Sequence, residues 1–118
     1  MSALDIESAI AAHRSWAKRL RFHIDGISHE TLTVAEIRDH TACVLGRWLY
    51  GSGKDYDLFT QYHELLAEHQ AFHVCAARIL ELHQAGLTIA AEKILDGDFT
   101  TTSDKVVMLL NQLKLDDE

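Results

Sequence analysis

The chain has 118 residues, which is enough for one domain with a modest core. Its net charge of −7, with histidines neutral, argues against nucleic acid and anionic membranes as partners. Two cysteines are too few for a disulfide framework, no apolar run approaches the roughly 20 residues of a membrane span, and the N-terminus lacks the basic-then-apolar order of a signal peptide. We therefore expect a cytoplasmic protein with a single domain over residues 1–118.

The absence of proline favours long helices, and the first segment is typical of one. Apolar residues at helical spacing predict a helix over residues 4–25 that ends at Gly26. The apolar stripe consists of Ile6, Ile10, His13, Trp16, Ala17 and Leu20. A connection over residues 29–38 follows, in which Thr33 and Glu36 have the spacing of a capping box and predict a helical turn.

The middle of the chain predicts two further helices. Asp39 is a good N-cap residue for a second helix, which would carry Cys43 and stop at the "GSG" of residues 51–53. The third and longest helix is predicted over residues 57–85, before Gly86. Its buried side is traced by Leu58, Tyr62, Leu65, Leu66, His69, Phe72, His73, Ala76, Ile79 and Leu80.

Two more helices complete the predicted fold. Thr88 can cap a short fourth helix that ends at Gly97, and Ser103 or a nearby threonine can open a last helix. No segment shows sustained strict alternation of apolar and polar residues, so strands are not needed. The predicted fold class is all-α, an antiparallel four-helix bundle with an extra short helix.

Two histidines of the third helix carry the first chemical signal. His69 and His73 are four residues apart, so they lie on one face of the helix, one turn apart, and both imidazoles can reach one ion. That spacing alone is a weak signal, because many such pairs face solvent. Here the pair shares its face with apolar residues, which indicates that both rings point inward, and a buried imidazole needs a partner for each nitrogen.

Residues from two earlier segments extend this pair to a donor set. His13 lies in the apolar stripe of the first helix, although a lone histidine there is more often a core residue with an ordinary hydrogen bond. Cys43 alone would be read as a small buried hydrophobe. However, Gly46 follows it on the same side, where glycine costs about 1 kcal/mol relative to alanine and requires a local reason, such as close approach of another helix or room around the sulfur. With His69 and His73, these residues would form a closed, four-ligand site suited to Zn²⁺, without the open position that water activation needs.

The run "DHTACVLGRWLYGSG" resembles the chemoreceptor zinc-binding (CZB) domain family of bacterial signalling proteins. The family shows a Cys-x-[Leu/Phe]-Gly-x-Trp core, which reads Cys-Val-Leu-Gly-Arg-Trp over residues 43–48 of this chain. An inward histidine precedes that core and an HxxxH pair follows it. The resemblance covers nearly the whole chain and implies metal ligands at His13, Cys43, His69 and His73.

The resemblance also implies a function. It predicts an α-helical bundle with one Zn²⁺ and a regulatory, non-catalytic role, often as a homodimer. Family members are usually fused to bacterial chemoreceptors or diguanylate cyclases, so the expected partners are a second copy and an output module in cis or trans, in chemotaxis or in diguanylate cyclase regulation. The expected signals are zinc availability and redox sensing, through oxidation of the zinc-bound cysteine by an agent such as hypochlorous acid.

The remaining candidates have less specific interpretations. Cys75 is two residues from His73 and six from His69, so we expect it to pack away from their shared face. His40, three residues before Cys43, could approach the site but is expected near the start of the second helix. Asp39 is expected to act as a cap rather than to hold a ligand histidine by its second nitrogen. The histidines expected at the surface or rim are His23, His29, His63 and His83.

Two alternative functions remain open on the sequence. The first is a metal-dependent enzyme or carrier, either a di-iron bundle of the hemerythrin kind or a three-histidine hydrolase with an open metal. Di-iron sites need bridging carboxylates, and Glu64 and Glu68 lie near the histidines but off the inward stripe. The second alternative is a dimerising bundle whose histidines are structural. Metal content and sensitivity to chelators distinguish the three.

Overall fold

Helices account for all the regular structure in the computed structural model, which describes residues 3–117 and the side chains of residues 6–115. In chain order the α-helices are α1 (Ala3–Ile24), α2 (Val34–Arg38), α3 (Val44–Leu49), α4 (Thr60–Gln84), α5 (Thr88–Ile94) and α6 (Thr100–Asp117). A 3₁₀ turn at Ser52–Tyr56 precedes α4, and a π-helical turn at Leu95–Phe99 joins α5 to α6. This part of the chain contains no strand, so the predicted all-α bundle is confirmed.

The bounds of the first helix and the helical turn after it agree with the sequence prediction, although Ala17, predicted on the apolar stripe, is exposed. Gly26 ends α1 with a φ of 77°, a left-handed conformation that glycine adopts without steric cost. Thr33 caps α2, because its hydroxyl oxygen accepts a hydrogen bond from the N–H of Glu36 at 3.2 Å. The short helix α2 is therefore the helical turn that this spacing predicts.

The prediction of a second helix starting at Asp39 was wrong. The carboxylate of Asp39 accepts hydrogen bonds from the backbone N–H and the hydroxyl of Thr41, at 3.0 and 2.6 Å, which closes a local turn instead of opening a helix. The helix begins only at Val44, and Cys43 is its N-cap residue. Cys43 thus lies at a helix start and not within a helix.

The first turn of α4 is hydrogen-bonded to the last residue of α3. The third helix was predicted from residue 57, but the 3₁₀ turn delays it to Thr60. Tyr62 in the first turn of α4 donates its hydroxyl hydrogen to the carbonyl of Leu49 at 2.6 Å. This buried bond holds the last residue of α3 against the long helix.

The prediction that Gly97 ends the fourth helix was also wrong. The backbone continues through Gly97 as a π-helical turn, and α6 begins at Thr100, before Ser103. The hydroxyl of Thr100 donates to the carbonyl of Leu95 at 2.7 Å, which satisfies an acceptor inside the turn. Glycine typically ends a helix by adopting a positive φ. Gly97 is not among the glycines with positive φ, so the helical backbone continues through it.

The core lies around α4, which packs against α2, α5 and α6, while α1 packs against α3 and α6. The largest fully buried side chains are Phe72, Phe99, Ile6, Leu20, Ile37, Leu45, Leu49, Leu65, Ile79, Leu80, Leu110 and Leu113. Three histidines, His13, His69 and His73, are buried among them, each no more than 3% exposed. Within residues 3–117, none of the helices combines the length and the apolar character needed to cross a membrane.

Candidate metal centre

The two histidines of α4 point into the core, as their apolar neighbours predict. His69 and His73 are each 1% exposed, and their ring centroids are 4.7 Å apart. Their Nε2 atoms approach each other to 3.1 Å. Helical spacing therefore places two nitrogen donors side by side in a region from which water is largely excluded.

The second nitrogen of His73 has a fixed partner. Its Nδ1 lies 2.6 Å from the carbonyl oxygen of Ile37 on α2, and both residues are buried. Because a carbonyl can only accept, Nδ1 carries the hydrogen and donates it, which leaves the Nε2 lone pair free. A backbone acceptor on the far nitrogen is how metal-binding histidines are usually oriented, so the tautomer of His73 suits a ligand.

The sulfur of Cys43 lies beside the nitrogens of this histidine pair. Its Sγ lies 3.3 Å from Nε2 of His69 and accepts a hydrogen bond from the N–H of Gly46 at 3.2 Å. A Cβ at position 46 would lie 1.9 Å from the carbonyl oxygen of His40, which no side chain can do. Gly46 is therefore required by the close approach of backbone from the preceding turn, not of another helix.

These three donors fit one metal ion. The ligand atoms of Cys43, His69 and His73 all lie within 4.8 Å of one another. In a tetrahedral zinc site with bonds of ~2.0–2.1 Å to nitrogen and ~2.3 Å to sulfur, neighbouring donors are about 3.3 Å (N to N) and about 3.6 Å (N to S) apart. The observed 3.1 Å between nitrogens and 3.3 Å between sulfur and nitrogen are close to these edges.

His13 lies beside the three donors without joining them. Its ring centroid is 6.5 Å from that of His69 and 4.0 Å from that of Phe72. Its Nε2 is 3.3 Å from the hydroxyl oxygen of Ser103 on α6. The structure thus places the fourth predicted ligand next to the cluster, but with its Nε2 turned to another partner.

Burial sets the protonation of the imidazoles. Burial, followed by the neighbouring histidines, lowers the pKa of His69 to about 3, and burial, followed by the charges of His73 and Arg14, lowers the pKa of His13 to about 4. Burial also lowers the pKa of His73, although the Ile37 carbonyl opposes the shift. All three rings are therefore neutral at neutral pH, which is the form that binds a metal.

The thiol of Cys43 behaves differently. Burial raises the pKa of this thiol, and the N–H of Gly46 only partly offsets the effect. Without a cation the sulfur is thus protonated at neutral pH, and a bound metal ion would supply the positive charge that favours the thiolate.

His69 also has a buried Nδ1 without a hydrogen-bond partner among the described residues, and this polar atom is unusual in a core.

No carboxylate joins the cluster within the described part of the chain. Glu64 is exposed, and Glu68 lies 3.9 Å from the ammonium group of Lys105 on α6. Both therefore lie off the inward face, as the helical spacing predicts. The di-iron alternative lacks the bridging ligands that it needs.

The other candidates lie away from the donors. Cys75 is half-buried and hydrogen-bonds to Thr102 near the start of α6, so it lies away from the face shared by His69 and His73, as expected. Burial and the nearby Asp98 raise the pKa of its thiol. Asp39 binds Thr41 and not a ligand histidine. The histidines predicted at the surface or rim, His23, His29, His63 and His83, are exposed or half-buried.

One contribution to the site was not found from the sequence, and a second was considered there but not favoured. The carbonyl of Ile37 leaves no trace in a residue pattern, because every residue carries one. From the sequence, His40 could approach the site but was expected near a helix start. In the structure its ring centroid is 6.3 Å from that of His69, and its Nδ1 is 3.4 Å from the hydroxyl of Tyr50. Its position three residues before Cys43 was the available signal, and the turn at Asp39 brings it close.

A buried cluster of imidazole and thiol donors inside an all-α bundle defines a helical metal-binding domain. The family model described as the chemoreceptor zinc-binding domain matches residues 13–80, more than half of the chain, and the chain belongs to this family. The matched segment begins at His13 and includes Cys43, His69 and His73. The searches of curated proteins and of solved structures gave no match.

Proposed function

We propose that this chain is a zinc-binding sensory domain of bacterial signalling, with Zn²⁺ held by Cys43, His69, His73 and His13. The observation that carries the proposal is the convergence of two Nε2 atoms and one Sγ, with the far nitrogen of His73 already bound to the Ile37 carbonyl. Thiolate and imidazole donors suit zinc, and membership of a zinc-binding family supports the same ion.

The fourth ligand is assigned to His13, because it is fully buried and its neutral imidazole adjoins the cluster. To bind, this ring would exchange its contact with Ser103 for the metal. His40 is the competing candidate, since its ring lies at a similar distance from His69 but is only half-buried. With four protein ligands the site has no position for a substrate water, so the domain is proposed to be regulatory and non-catalytic.

Cys43 gives the site a redox response. Bound zinc would keep this sulfur as a thiolate, which is the form that reacts with oxidants. With hypochlorous acid, the sulfur takes up the hydroxyl group and chloride leaves. The sulfur loses two electrons, and the chlorine gains them. The resulting sulfenic acid is a poorer ligand, so oxidation weakens zinc binding and loosens the Cys43 turn. The domain thereby reports zinc availability, oxidant exposure or both.

The proposed setting is cytoplasmic, within chemotaxis or the regulation of a diguanylate cyclase. The domain would act as a homodimer on an output module in cis or trans, with residues 1–118 forming one functional domain. Exposed apolar side chains on the long helices support pairing, among them Val74 on α4 at 52% and Met108 on α6 at 50% exposed. Sedimentation velocity at tens of micromolar checks the dimer, and a mass of 13.3 kDa would contradict it.

Metal stoichiometry and affinity test the proposal. We expect one Zn²⁺ per chain by elemental analysis and a clear loss of affinity for Cys43→Ala in competition with a chromophoric chelator. Cys75→Ala is the matched control, because it removes the other half-buried thiol outside the cluster. Two irons per chain, or zinc binding that both variants retain equally, would overturn the proposal.

The fourth ligand is tested in the same assay. His13→Ala should weaken zinc binding about 10-fold to 100-fold or more, as expected for loss of an ordering contact or a ligand. His40→Ala should change the affinity little. The reverse result would move the fourth position from His13 to His40 and would leave the three-donor core unaffected.

A further inference from the structure

Two surface pockets are lined in part by Cys43. One has a volume of about 260 Å³ and lies between α1 and the start of α3, and the other has a volume of about 300 Å³ and lies under the connection before α2. Both are lined by Cys43, His73, Trp16 and Arg19. Each pocket is therefore a candidate route to the sulfur, and Trp16 borders both routes.

A stack of side chains holds the indole of Trp16 in place. The guanidinium carbon of Arg19 lies 3.9 Å above the ring of Trp16, a cation–π contact. The same guanidinium hydrogen-bonds to the carboxylate of Glu30: its Nε donates to both oxygens at 3.1 Å, and its Nη2 donates to Oε1 at 2.6 Å. On its inner side, the indole meets the ring of His73 edge-on, with centroids 6.2 Å apart. Trp16 is thus fixed between a metal-ligand candidate and an ion pair at the surface.

We propose that Trp16, positioned by Arg19 and Glu30, determines which reagents reach the Cys43 thiol. While the indole borders both pockets in this position, each route would admit only small electrophiles, and larger thiol reagents would be kept out until the indole moves away. The stack would thereby make the centre selective for small oxidants over bulky thiol compounds. The inference deepens the proposed function, because it rests on Cys43 being the reactive group of that site.

The test compares a small and a bulky alkylating reagent on the metal-free protein. With iodoacetamide, the sulfur of Cys43 attacks the CH₂ carbon, a sulfur–carbon bond forms, iodide leaves and the thiol proton passes to solvent. Fluorescein maleimide is the bulky probe. Its rate at Cys43 should rise about twofold to fivefold in Arg19→Ala, the factor that loss of an exposed cation–π contact implies. Trp16→Ala should raise it further, with much smaller changes for iodoacetamide, and Trp16→Phe should restore part of the selectivity.

Two controls separate gating from general loosening. Arg21→Ala removes a second ion pair of α1, the one with Asp96, and Arg21 lines neither pocket, so this variant should behave as wild type. Cys75, read by mass spectrometry in the same samples, should keep its own rate in every variant. Parallel acceleration of Cys75, or a fluorescein maleimide rate at Cys43 that is unchanged in Trp16→Ala, would overturn the proposal.

Zinc measurements distinguish this inference from the function on which it rests. Arg19→Ala should leave the equilibrium zinc affinity unchanged and raise the rate at which a chelator removes the metal. An unchanged removal rate in Arg19→Ala would count against the gate. Failure of the wild-type protein to bind zinc would refute the proposed function alone, because the alkylation rates need no metal.

Discussion

Alanine at position 46 would test the close packing that holds Cys43 in place. In an open helix this change gains about 1 kcal/mol over glycine. Here the new Cβ would lie 1.9 Å from the carbonyl oxygen of His40 and 3.0 Å from Cα of Thr41, and both of these are backbone atoms that cannot rotate away. The turn before α3 must therefore move by more than about 1 Å to restore ordinary contact distances, and overpacking of this kind costs about 1–3 kcal/mol or more.

We expect Gly46→Ala to lower the free energy of unfolding of the metal-free protein by up to about 2 kcal/mol after the helix gain is subtracted, or the melting temperature by up to about 8 °C. Zinc affinity should fall further, because the displaced N–H of residue 46 donates to the sulfur of Cys43 at 3.2 Å. A hydrogen bond to a charged group contributes about 1.5–3 kcal/mol, so the loss is roughly 10-fold to 100-fold in affinity. Urea titration and chelator competition measure the two effects.

Gly97→Ala is the matched control for this experiment. A Cβ at position 97 meets nothing within 4 Å, and Gly97 is not among the glycines with positive φ. This variant should be neutral, or more stable than the wild type by up to about 1 kcal/mol, with unchanged zinc affinity. If Gly46→Ala matched the wild type in both stability and affinity, the argument from the His40 carbonyl would be refuted.

Three further predictions concern the titratable donors. In chelator competition, His69→Ala should weaken zinc binding far more than His63→Ala, and equal effects would mean that the wrong face of α4 was chosen. The metal-free protein should lose stability below about pH 6.5, because unfolding lets His69 and His13 take up protons that burial denies them, with folded-state pKa values of about 3 and about 4. Each should contribute a loss of up to about 1.4 kcal/mol per pH unit, and urea midpoints that stay constant from pH 7 to 5 would contradict this. Substoichiometric hypochlorous acid should release zinc while modifying Cys43, and modification mainly at Cys75 would refute the redox response.

The long helices could be predicted because most of their buried residues follow the 3.6-residue period. Leu58 is an exception: it was predicted on the buried side of the third helix, but it lies before α4 begins and is 95% exposed. The same period places His69 and His73 inward, since a ring on the buried stripe of α4 has nowhere else to go. The start of α3 could not be predicted in this way. Asp39 has the composition of a helix cap, and its use in a local turn depends on competing hydrogen bonds to Thr41 that the sequence does not rank.

The donor set could be proposed from residue types, but its arrangement could not. Sequence spacing says that His13 faces the core, yet its contact with Ser103, 90 residues away in the chain, depends on how α1 and α6 meet. The Ile37 carbonyl that orients His73 is equally a product of tertiary packing. Gly46 is an intermediate case. The sequence shows a glycine where it destabilises a helix, but it does not show the His40 carbonyl that requires the glycine.

The two short helices at the centre have a mechanical consequence. With 5 and 6 residues, α2 and α3 are far below the ~12–15 residues at which an isolated helix becomes marginally stable in water. Their order depends on a few anchors to the 25-residue rod of α4, among them His73 on the Ile37 carbonyl, Cys43 beside His69, and Tyr62 on the Leu49 carbonyl. When the contact of Cys43 with His69 is lost, the segment from residue 34 to 50 can fray while α4 remains intact. The conformational change would then be a local unfolding of this segment against a stable α4, confined to one side of the molecule.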